Sequence, residues 1–244
     1  MTHWKHNYFR FNTILLLLVL LISCGKNSRD IDSDYAGSMS CKPCHEKYFE
    51  LWAISNHALA ERTLDSHKFR KVFSPKTTVT PGTQTTELNF VSNQCQILTM
   101  GIMGEKEKYI PERVVGVDPI VQFLIPDRGG RFQVSEVAYH PNAGGWFNVF
   151  GDEDRMPGEW GHWTGRGMNW NSRCAACHNT GVKKNYIDST DTYSTTMMEM
   201  GIGCEACHGG FADHVIWQKD HSGEDITDTT VQLLENDQIM DLCA

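Results

Sequence analysis

The chain has 244 residues, 40% of them hydrophobic, and carries 22 Lys and Arg against 30 Asp and Glu, a formal net charge of −8. This length allows one large domain or two small ones. The acidic balance excludes nucleic acid as a partner, because phosphates bind basic surfaces, and it favours basic soluble proteins instead.

The first 23 residues are predicted to be a lipoprotein signal peptide. Two basic residues precede an apolar run over residues 14–22, which is too short to cross a bilayer as a helix. The run ends in Leu-Ile-Ser-Cys at residues 21–24, which resembles a bacterial site of cleavage and lipidation. We expect a lipid on Cys24, a polar tether over residues 24–36, and anchoring to a membrane in the bacterial periplasm or cell envelope.

The pattern C-x-x-C-H occurs three times after this segment. Two thiols one helical turn apart can each form a thioether with a haem vinyl group, while the adjoining imidazole reaches the iron. The sequence therefore predicts three covalently attached haem c groups. Their attachment residues are Cys41 and Cys44, Cys174 and Cys177, and Cys204 and Cys207, and their proximal iron ligands are His45, His178 and His208.

Zinc sites, redox dithiols and disulfides are the alternatives for each C-x-x-C. A tetrahedral zinc site usually pairs two such half-sites and seldom uses a His placed directly after a Cys. A disulfide scaffold, which an exported chain permits, does not need repeated two-residue gaps that end in His. Three copies with the same His therefore favour haem.

A first haem-binding segment is predicted over residues 37–75. After His45 the chain continues to residue 59 without Gly or Pro and with apolar side chains near helical spacing, which predicts a helix of about three turns. This helix would carry His57 at its far end. His57 is too distant along a rigid helix to share an iron with His45, so we expect it to bind the iron of a neighbouring haem.

Residues 76–161 are predicted to form an antiparallel β insertion between the first haem segment and the other two. Apolar and polar residues alternate in several runs, and Pro-Asp-Arg-Gly-Gly at 126–130 predicts a hairpin turn between two of them. Cys95 is expected to be a buried apolar residue. Four Trp residues lie between residues 146 and 170, and we expect their rings to pack against porphyrin faces as well as in the core.

Residues 162–244 contain the second and third haem-binding segments. The helix of the second motif is expected to end at Asn179-Thr180-Gly181, a short helix is predicted over residues 193–201, and an amphipathic helix over 231–242. His214 follows a Gly-Gly turn and is expected near the third haem.

Distal iron ligands must come from the remaining His residues or from Met. The six His residues outside the motifs and the signal peptide are His57, His67, His140, His162, His214 and His221. The best placed are His57 on the haem helix, His214 just after the third motif, and His162 between two Trp residues. The others are more typical of surface or core His.

Six sequence strings, some of them containing a C-x-x-C-H motif, give the chain a family resemblance. They are the motif at 41–45 with Trp52, Ser55 and His57; Gly-Val-Asp-Pro at 116–119; Gly-Trp-Phe at 145–147; His-Trp-Thr-Gly at 162–165; Trp-Asn at 170–171 before the motif at 174–178; and Gly-Cys-Glu-Ala-Cys-His-Gly at 203–209 with His214. Together they resemble multihaem c-type cytochromes of the cytochrome c-554 type, particularly bacterial members whose haem domain precedes tetratricopeptide repeats. The resemblance covers about residues 35–217.

The resemblance implies electron transfer through closely spaced, largely bis-His haems. With the patterns above, it predicts an α+β fold in which irregular and short-helical haem segments flank an antiparallel β insertion. In this family a further C-x-x-C-H would begin near Cys243, so we expect that the chain is truncated before a fourth haem.

The leading functional hypothesis is an electron carrier that exchanges electrons with redox partner proteins, with no catalytic residue of its own. One alternative is a multihaem oxidoreductase acting on a small nitrogen or sulfur compound, which needs an iron with an open position and acid–base residues such as His140, His162 or Arg166. A haem-bearing interaction module is another.

Overall fold

The computed structural model describes residues 34–231 and has an α+β fold, as predicted. The predicted signal peptide, the lipidation site at Cys24, most of the tether, nearly all of the predicted helix over 231–242, and Cys243 lie outside these residues. Within residues 34–231, no helix has the length and apolar character needed to span a membrane.

Helices in the described part of the chain are short and lie mainly at the C-x-x-C-H motifs. They are α1 Ser38–Cys41, α2 Glu46–Ala53, α3 Ser66–Phe73, α4 Trp170–Arg173, α5 Ala175–His178, α6 Cys204–His208 and α7 Ala212–Asp220. Single 3₁₀ turns cover Arg128–Gly130, Arg166–Met168 and Asp188–Thr190.

Strands fill most of the sequence between the first and second motifs. They are β1 Glu61–Thr63, β2 Thr77–Val79, β3 Thr86–Val91, β4 Gln94–Met100, β5 Lys106–Tyr109, β6 Arg113–Val115, β7 Gln122–Asp127, β8 Arg131–Val134, β9 Val137–His140 and β10 Gly145–Asn148. Four two-residue strands follow the second motif: β11 Asn179–Thr180, β12 Tyr186–Ile187, β13 Thr192–Tyr193 and β14 Glu199–Met200.

Two four-stranded antiparallel sheets form the β region. One has the order β2-β3-β4-β5 and the other β1-β6-β7-β8, while β9 pairs with β10, β11 with β14, and β12 with β13. The hairpin predicted at residues 126–130 is confirmed, because β7 and β8 pair in register from Asp127 opposite Arg131. Gly130 has φ 70°, and a Cβ there would meet the Tyr193 carbonyl, so this turn requires glycine.

The main core lies between the two sheets. Phe123 and Ile125 on β7 meet Leu88 and Ile97 on the facing sheet. Phe73 at the end of α3 packs edge-on against Phe123, with 5.0 Å between ring centres. Because this core is protein throughout, its stability comes from burial of aliphatic and aromatic side chains.

Most of the Trp residues upstream of the second motif belong to the protein core. Trp163 is 2% and Trp170 1% exposed, so these two rings have no free face for a porphyrin, whereas Trp160 is 62% exposed and its packing against a porphyrin stays a prediction. Trp163 donates its indole N–H to the Met100 carbonyl at 2.7 Å, and Trp146 donates to the Val72 carbonyl at 3.1 Å. Buried indoles need both apolar surroundings and an acceptor, and these sheets supply both.

Strand β7 is buried on both faces, and its second face contacts the residues around the second motif. Leu124 points away from the main core and packs with Val134, Trp170 and Ala175 in a second cluster. Ala175 is the first residue after Cys174, so the β sheet itself supports the second C-x-x-C-H turn.

Two helix predictions need correction. The helix after His45 ends at Ala53, well before His57, because the chain turns there and Ser55 N–H bonds back to the Trp52 carbonyl at 2.8 Å. The segment over residues 193–201 is extended instead of helical. Its backbone groups bond to the strands after the second motif, as in Met198 N–H to the Thr180 carbonyl at 2.9 Å.

Candidate haem-binding sites

Each C-x-x-C-H motif forms a single helical turn. In the first motif the His45 N–H bonds to the Cys41 carbonyl at 2.9 Å, and in the second the His178 N–H bonds to the Cys174 carbonyl at 3.2 Å. The third lies entirely within α6. One turn places residues three and four apart on the same side of a helix, so the two thiols and the imidazole of each motif share one face.

A buried carboxylate joins the third motif to the first. Glu205, the second residue of the third motif, is 2% exposed and accepts hydrogen bonds from Ala36 N at 2.8 Å and Gly37 N at 2.7 Å. It also accepts from Phe211 N at 2.8 Å. One side chain of the third motif therefore binds both the chain just before the first motif and the chain just after the third.

Ser38 in α1 makes a second link between these motifs. Its hydroxyl donates to Glu199 at 2.6 Å and accepts from Cys204 N at 3.0 Å. The Cys41 thiol lies beside the Cys204 thiol, and its pKa rises to about 11, chiefly through burial and further through Cys204 and Glu205. The first and third motifs are thus neighbours in space although the β region separates them in sequence.

Short strands join the second motif to the third. Strand β11 begins directly after His178 and pairs with β14, so that Asn179 lies opposite Met200. The Thr180 hydroxyl donates to the Gly201 carbonyl at 2.9 Å and accepts from Gly203 N at 2.8 Å. All three motifs therefore lie in one cluster.

A buried carboxylate on β1 supports the second motif. Glu61 is 1% exposed and accepts from Trp170 Nε1 at 2.6 Å and Asn179 Nδ2 at 2.7 Å. Its other oxygen pairs with Arg113 Nη1 at 3.2 Å. One side chain of the β sheet thus binds Trp170, four residues before the second motif, and Asn179, directly after it.

The proximal imidazole of the second motif is oriented by the backbone. His178 Nδ1 lies 3.2 Å from the carbonyl oxygen of Ala60, next to Glu61. A ring that donates from Nδ1 to a carbonyl keeps its lone pair on Nε2, which is the arrangement typical of a metal-binding His. No local pattern predicts this contact, because Ala60 is 118 residues away in the chain.

His57 lies between the second and third motifs. Its carbonyl accepts from Ile202 N at 2.9 Å, two residues before Cys204, and Ala60 follows it closely in the chain. Gly201 makes this approach possible, because it has φ +85° and a Cβ there would collide with the Ala58 carbonyl. The exposed His57 residue is thus near two motifs other than the one that precedes it in the chain, and its role as a distal ligand stays a prediction.

His214 faces the proximal His of the first motif. The ring centres of His214 and His45 are 6.5 Å apart, with 30° between the ring planes. Two imidazoles bound on opposite sides of one metal ion, with metal–N bonds of about 2 Å, have ring centres about 6 Å apart. The Phe211 ring lies between His214 and His208, at 5.6 Å and 6.3 Å. The His214 ring therefore lies beside His45 of the first motif, and the expectation that it serves the third haem stays a prediction.

The third predicted distal ligand, His162, lies in a different environment. Its ring is 0% exposed, Nδ1 is 2.7 Å from the Thr164 hydroxyl and 3.3 Å from Thr164 N, and Nε2 is buried with no hydrogen-bond partner. Burial lowers the pKa of this imidazole, so the ring is neutral. An Nδ1 that accepts from Thr164 N leaves the proton on Nε2 and no lone pair there for iron. His162 as a ligand stays a prediction that this geometry does not favour.

The remaining His residues are spread over the surface. His140 Nδ1 accepts from Ala143 N at 3.2 Å, so its Nε2 carries the proton in the neutral ring. His221 lies at the end of α7, with Nδ1 2.9 Å from the Trp217 carbonyl and its ring stacked on Trp217. His67 is exposed on α3.

The surroundings of the first motif suit a large apolar ligand. Helix α2 has no buried residue, and Met39, Tyr48, Leu51 and Ile54 are between 60% and 78% exposed. Such a group of exposed apolar side chains beside two unpaired thiols fits the face of a porphyrin.

Burial raises the pKa of two attachment thiols. The pKa of Cys174 rises to about 11 through burial, with Glu61 and Cys177 adding to the effect, and burial likewise raises the pKa of Cys41.

Comparison with known families identifies the chain. The family model described as cytochrome c554 and c-prime matches residues 40–109 and 161–209, and these two segments contain all three C-x-x-C-H turns. The chain is a multihaem c-type cytochrome of the cytochrome c554 type. Its haems are covalently attached haem c, as the motifs predict. No curated protein matches this cytochrome.

Two solved structures are similar to the cytochrome. The crystal structure of the outer cell wall cytochrome OcwA shares 22% identity at a TM-score of 0.46, covering 80% of this chain and 35% of its own. The undecaheme cytochrome from the S-layer of Carboxydothermus ferrireducens shares 21% identity at a TM-score of 0.46, covering 78% of this chain and 23% of its own. The chain thus spans about a third or less of the length of these relatives.

Proposed function

We propose that this cytochrome carries electrons between partner proteins through three haems held in one cluster. The observation that carries the proposal is the packing of the three C-x-x-C-H turns against one another, through Glu205 between the first and third and through strands β11 and β14 between the second and third. Haems attached to adjoining turns are close enough to exchange electrons. The six motif Cys hold them, and His45, His178 and His208 bind their irons.

We further propose that the haems are largely bis-His coordinated. His214 is the distal ligand opposite His45, supported by the 6.5 Å between their ring centres. His57 is the distal ligand of the second or third haem, supported by its backbone contact to Ile202. Two imidazoles keep an iron low-spin and closed to substrate, which favours transfer over catalysis.

The protein orients the iron-binding His residues and surrounds the haem motifs with buried, fixed side chains. When bound, each haem supplies a one-electron redox centre. The Ala60 carbonyl holds the His178 ring, Glu61 holds the segment around it, and Glu205 holds the first and third motifs in register. Because these acceptors are buried and already paired, the site needs little rearrangement when an electron arrives.

Location and partners follow from the sequence. We propose export through the signal at residues 1–23, a lipid anchor at Cys24, and a tether to residue 36 that leads into the haem segments at 37–75 and 162–244, with the β insertion at 76–161 between them. Basic soluble redox proteins are the partners that the acidic chain attracts.

Ligand-state spectra test the carrier against the oxidoreductase. The chain is produced in a host with cytochrome c maturation, and electron paramagnetic resonance is recorded with and without cyanide and nitrite. We expect low-spin signals that neither anion changes. A high-spin iron that binds either anion would favour the oxidoreductase.

Haem attachment at the second motif can be tested with one variant of the motif and one control variant. Replacing both Cys174 and Cys177 with Ala should lower the haem content by one third, whereas Cys95→Ala, a buried thiol of the β core, should leave it unchanged. Equal haem content in all three proteins would refute attachment at the second motif.

A further inference from the structure

A carboxylate outside the family-matched segments holds the His214 ring. Asp228 Oδ2 lies 2.6 Å from His214 Nδ1. A carboxylate only accepts, so the imidazole donates from Nδ1 and keeps its Nε2 lone pair for a metal. The family model ends at residue 209, so Asp228 belongs to a part of the chain that the match does not cover.

The Asp228 carboxylate is itself fixed on both oxygens. Gln218, one turn along α7 from His214, donates to Oδ2 at 3.2 Å. Thr230 donates to Oδ1 from its backbone N–H at 2.8 Å and from its hydroxyl at 2.6 Å. With three hydrogen-bond donors besides His214, the carboxylate is held in one orientation.

The contact differs from that of the other oriented imidazoles. His178 and His221 each place Nδ1 against a neutral backbone carbonyl, at 3.2 Å and 2.9 Å. The contact from His214 to Asp228 is shorter and charge-assisted, and such hydrogen bonds are about twice as strong as neutral ones.

We propose that Asp228 is a positioning residue that sets the orientation and donor strength of His214, and thereby lowers the reduction potential of the haem that His45 and His214 share. This rests on the proposed role of His214 as an iron ligand. A hydrogen-bonded carboxylate makes the imidazole more basic, which stabilises ferric over ferrous iron. The negative charge also opposes the electron that arrives on reduction, so both effects have the same sign.

The test is a potentiometric titration of the haem-loaded protein, followed by visible spectroscopy. Asp228→Asn removes the charge and keeps the shape, and we expect one haem's potential to rise, by up to about tenfold in the equilibrium constant for reduction, or about 59 mV for one electron. Asp213→Asn is the matched control, because it removes the same charge from an exposed residue next to His214 and should leave that potential in place. Equal shifts in the two variants would overturn the proposal.

A second variant tests the sign. Thr230→Val removes the hydroxyl donor to Asp228 Oδ1 and keeps the backbone donor, so the carboxylate should accept more strongly from His214 and the same potential should fall. A rise, or no change, in this variant would contradict the proposal even where Asp228→Asn does not fold.

Electron paramagnetic resonance of a His214 variant distinguishes an error in the role of His214 from an error in the role of Asp228. If wild-type protein contains a haem whose electron paramagnetic resonance signal is high-spin, and His214→Ala leaves every low-spin signal unchanged, the role of His214 is wrong. If His214→Ala converts one haem to high-spin while Asp228→Asn changes no potential, the ligand stands and the role of Asp228 is wrong.

Discussion

Glu61→Gln is the substitution that most directly tests how the β sheet supports the second haem motif. The side chain is buried and receives three hydrogen bonds, from Trp170, Asn179 and Arg113. The amide oxygen can keep two of these donors, but its NH₂ group then faces the third, which is the Arg113 guanidinium.

The cost can be worked from these contacts. Loss of a hydrogen bond between two charged groups costs about 1.5 to 3 kcal/mol. Arg113 is 20% exposed, so water relieves part of its lost pairing, and its stacking on the Phe132 ring at 4.2 Å remains. We expect a loss of about 2 kcal/mol in the free energy of unfolding, well short of the 5–15 kcal/mol that holds a typical domain together.

The assay is urea unfolding of the haem-loaded protein, followed by circular dichroism of the haem bands and of the backbone. Glu112→Gln is the control, because Glu112 is the exposed neighbour of Arg113 and its change should fall within about 0.5 kcal/mol of wild type. If Glu61→Gln unfolds at the same urea concentration as Glu112→Gln, the carboxylate is not the support that the structure indicates.

Three further predictions concern other positions. Glu205→Gln should lower the unfolding free energy by about 2 kcal/mol and weaken the magnetic coupling of the first and third haems, because it impairs the hydrogen bond to Gly37; unchanged coupling would contradict this. Burial raises the pKa of Glu136 from 4.5 to about 7, so the free energy of unfolding should fall by about 3 kcal/mol as the pH rises from 4.5 to 7, and Glu136→Gln should lack this contribution, as thermal melts at the two pH values would show. Gly201→Ala should lower the yield of haem-loaded protein, because its Cβ meets the Ala58 carbonyl; a normal yield would refute the close approach.

Local sequence patterns located the haem chemistry because it is encoded within five residues. The C-x-x-C-H turns, the hairpin at residues 126–130 and the buried Cys95 all depend on near neighbours or on simple alternation, and the structure has these elements where they were expected. The helix predicted over 193–201 failed because its residues find β partners that precede them in the chain, near Thr180 and Lys183.

Long-range contacts were beyond sequence reasoning. Glu205 reads as an ordinary spacer within its motif, yet it binds the backbone 168 residues away at Gly37. Glu61 binds Trp170 and Asn179, which lie 109 and 118 residues further along the chain. Only the folded chain brings these partners together, so a pattern read along the sequence carries no signal for them.

The number of haems on the intact chain tests the central claim most directly. The protein, produced in a host with cytochrome c maturation, is measured by mass spectrometry under denaturing conditions, which remove any haem not covalently attached. We predict a mass increase equal to three haems, with peptides containing Cys41, Cys174 and Cys204 each carrying one. A chain of unmodified mass, or one whose thiols retain zinc or form disulfides under native conditions, would contradict it.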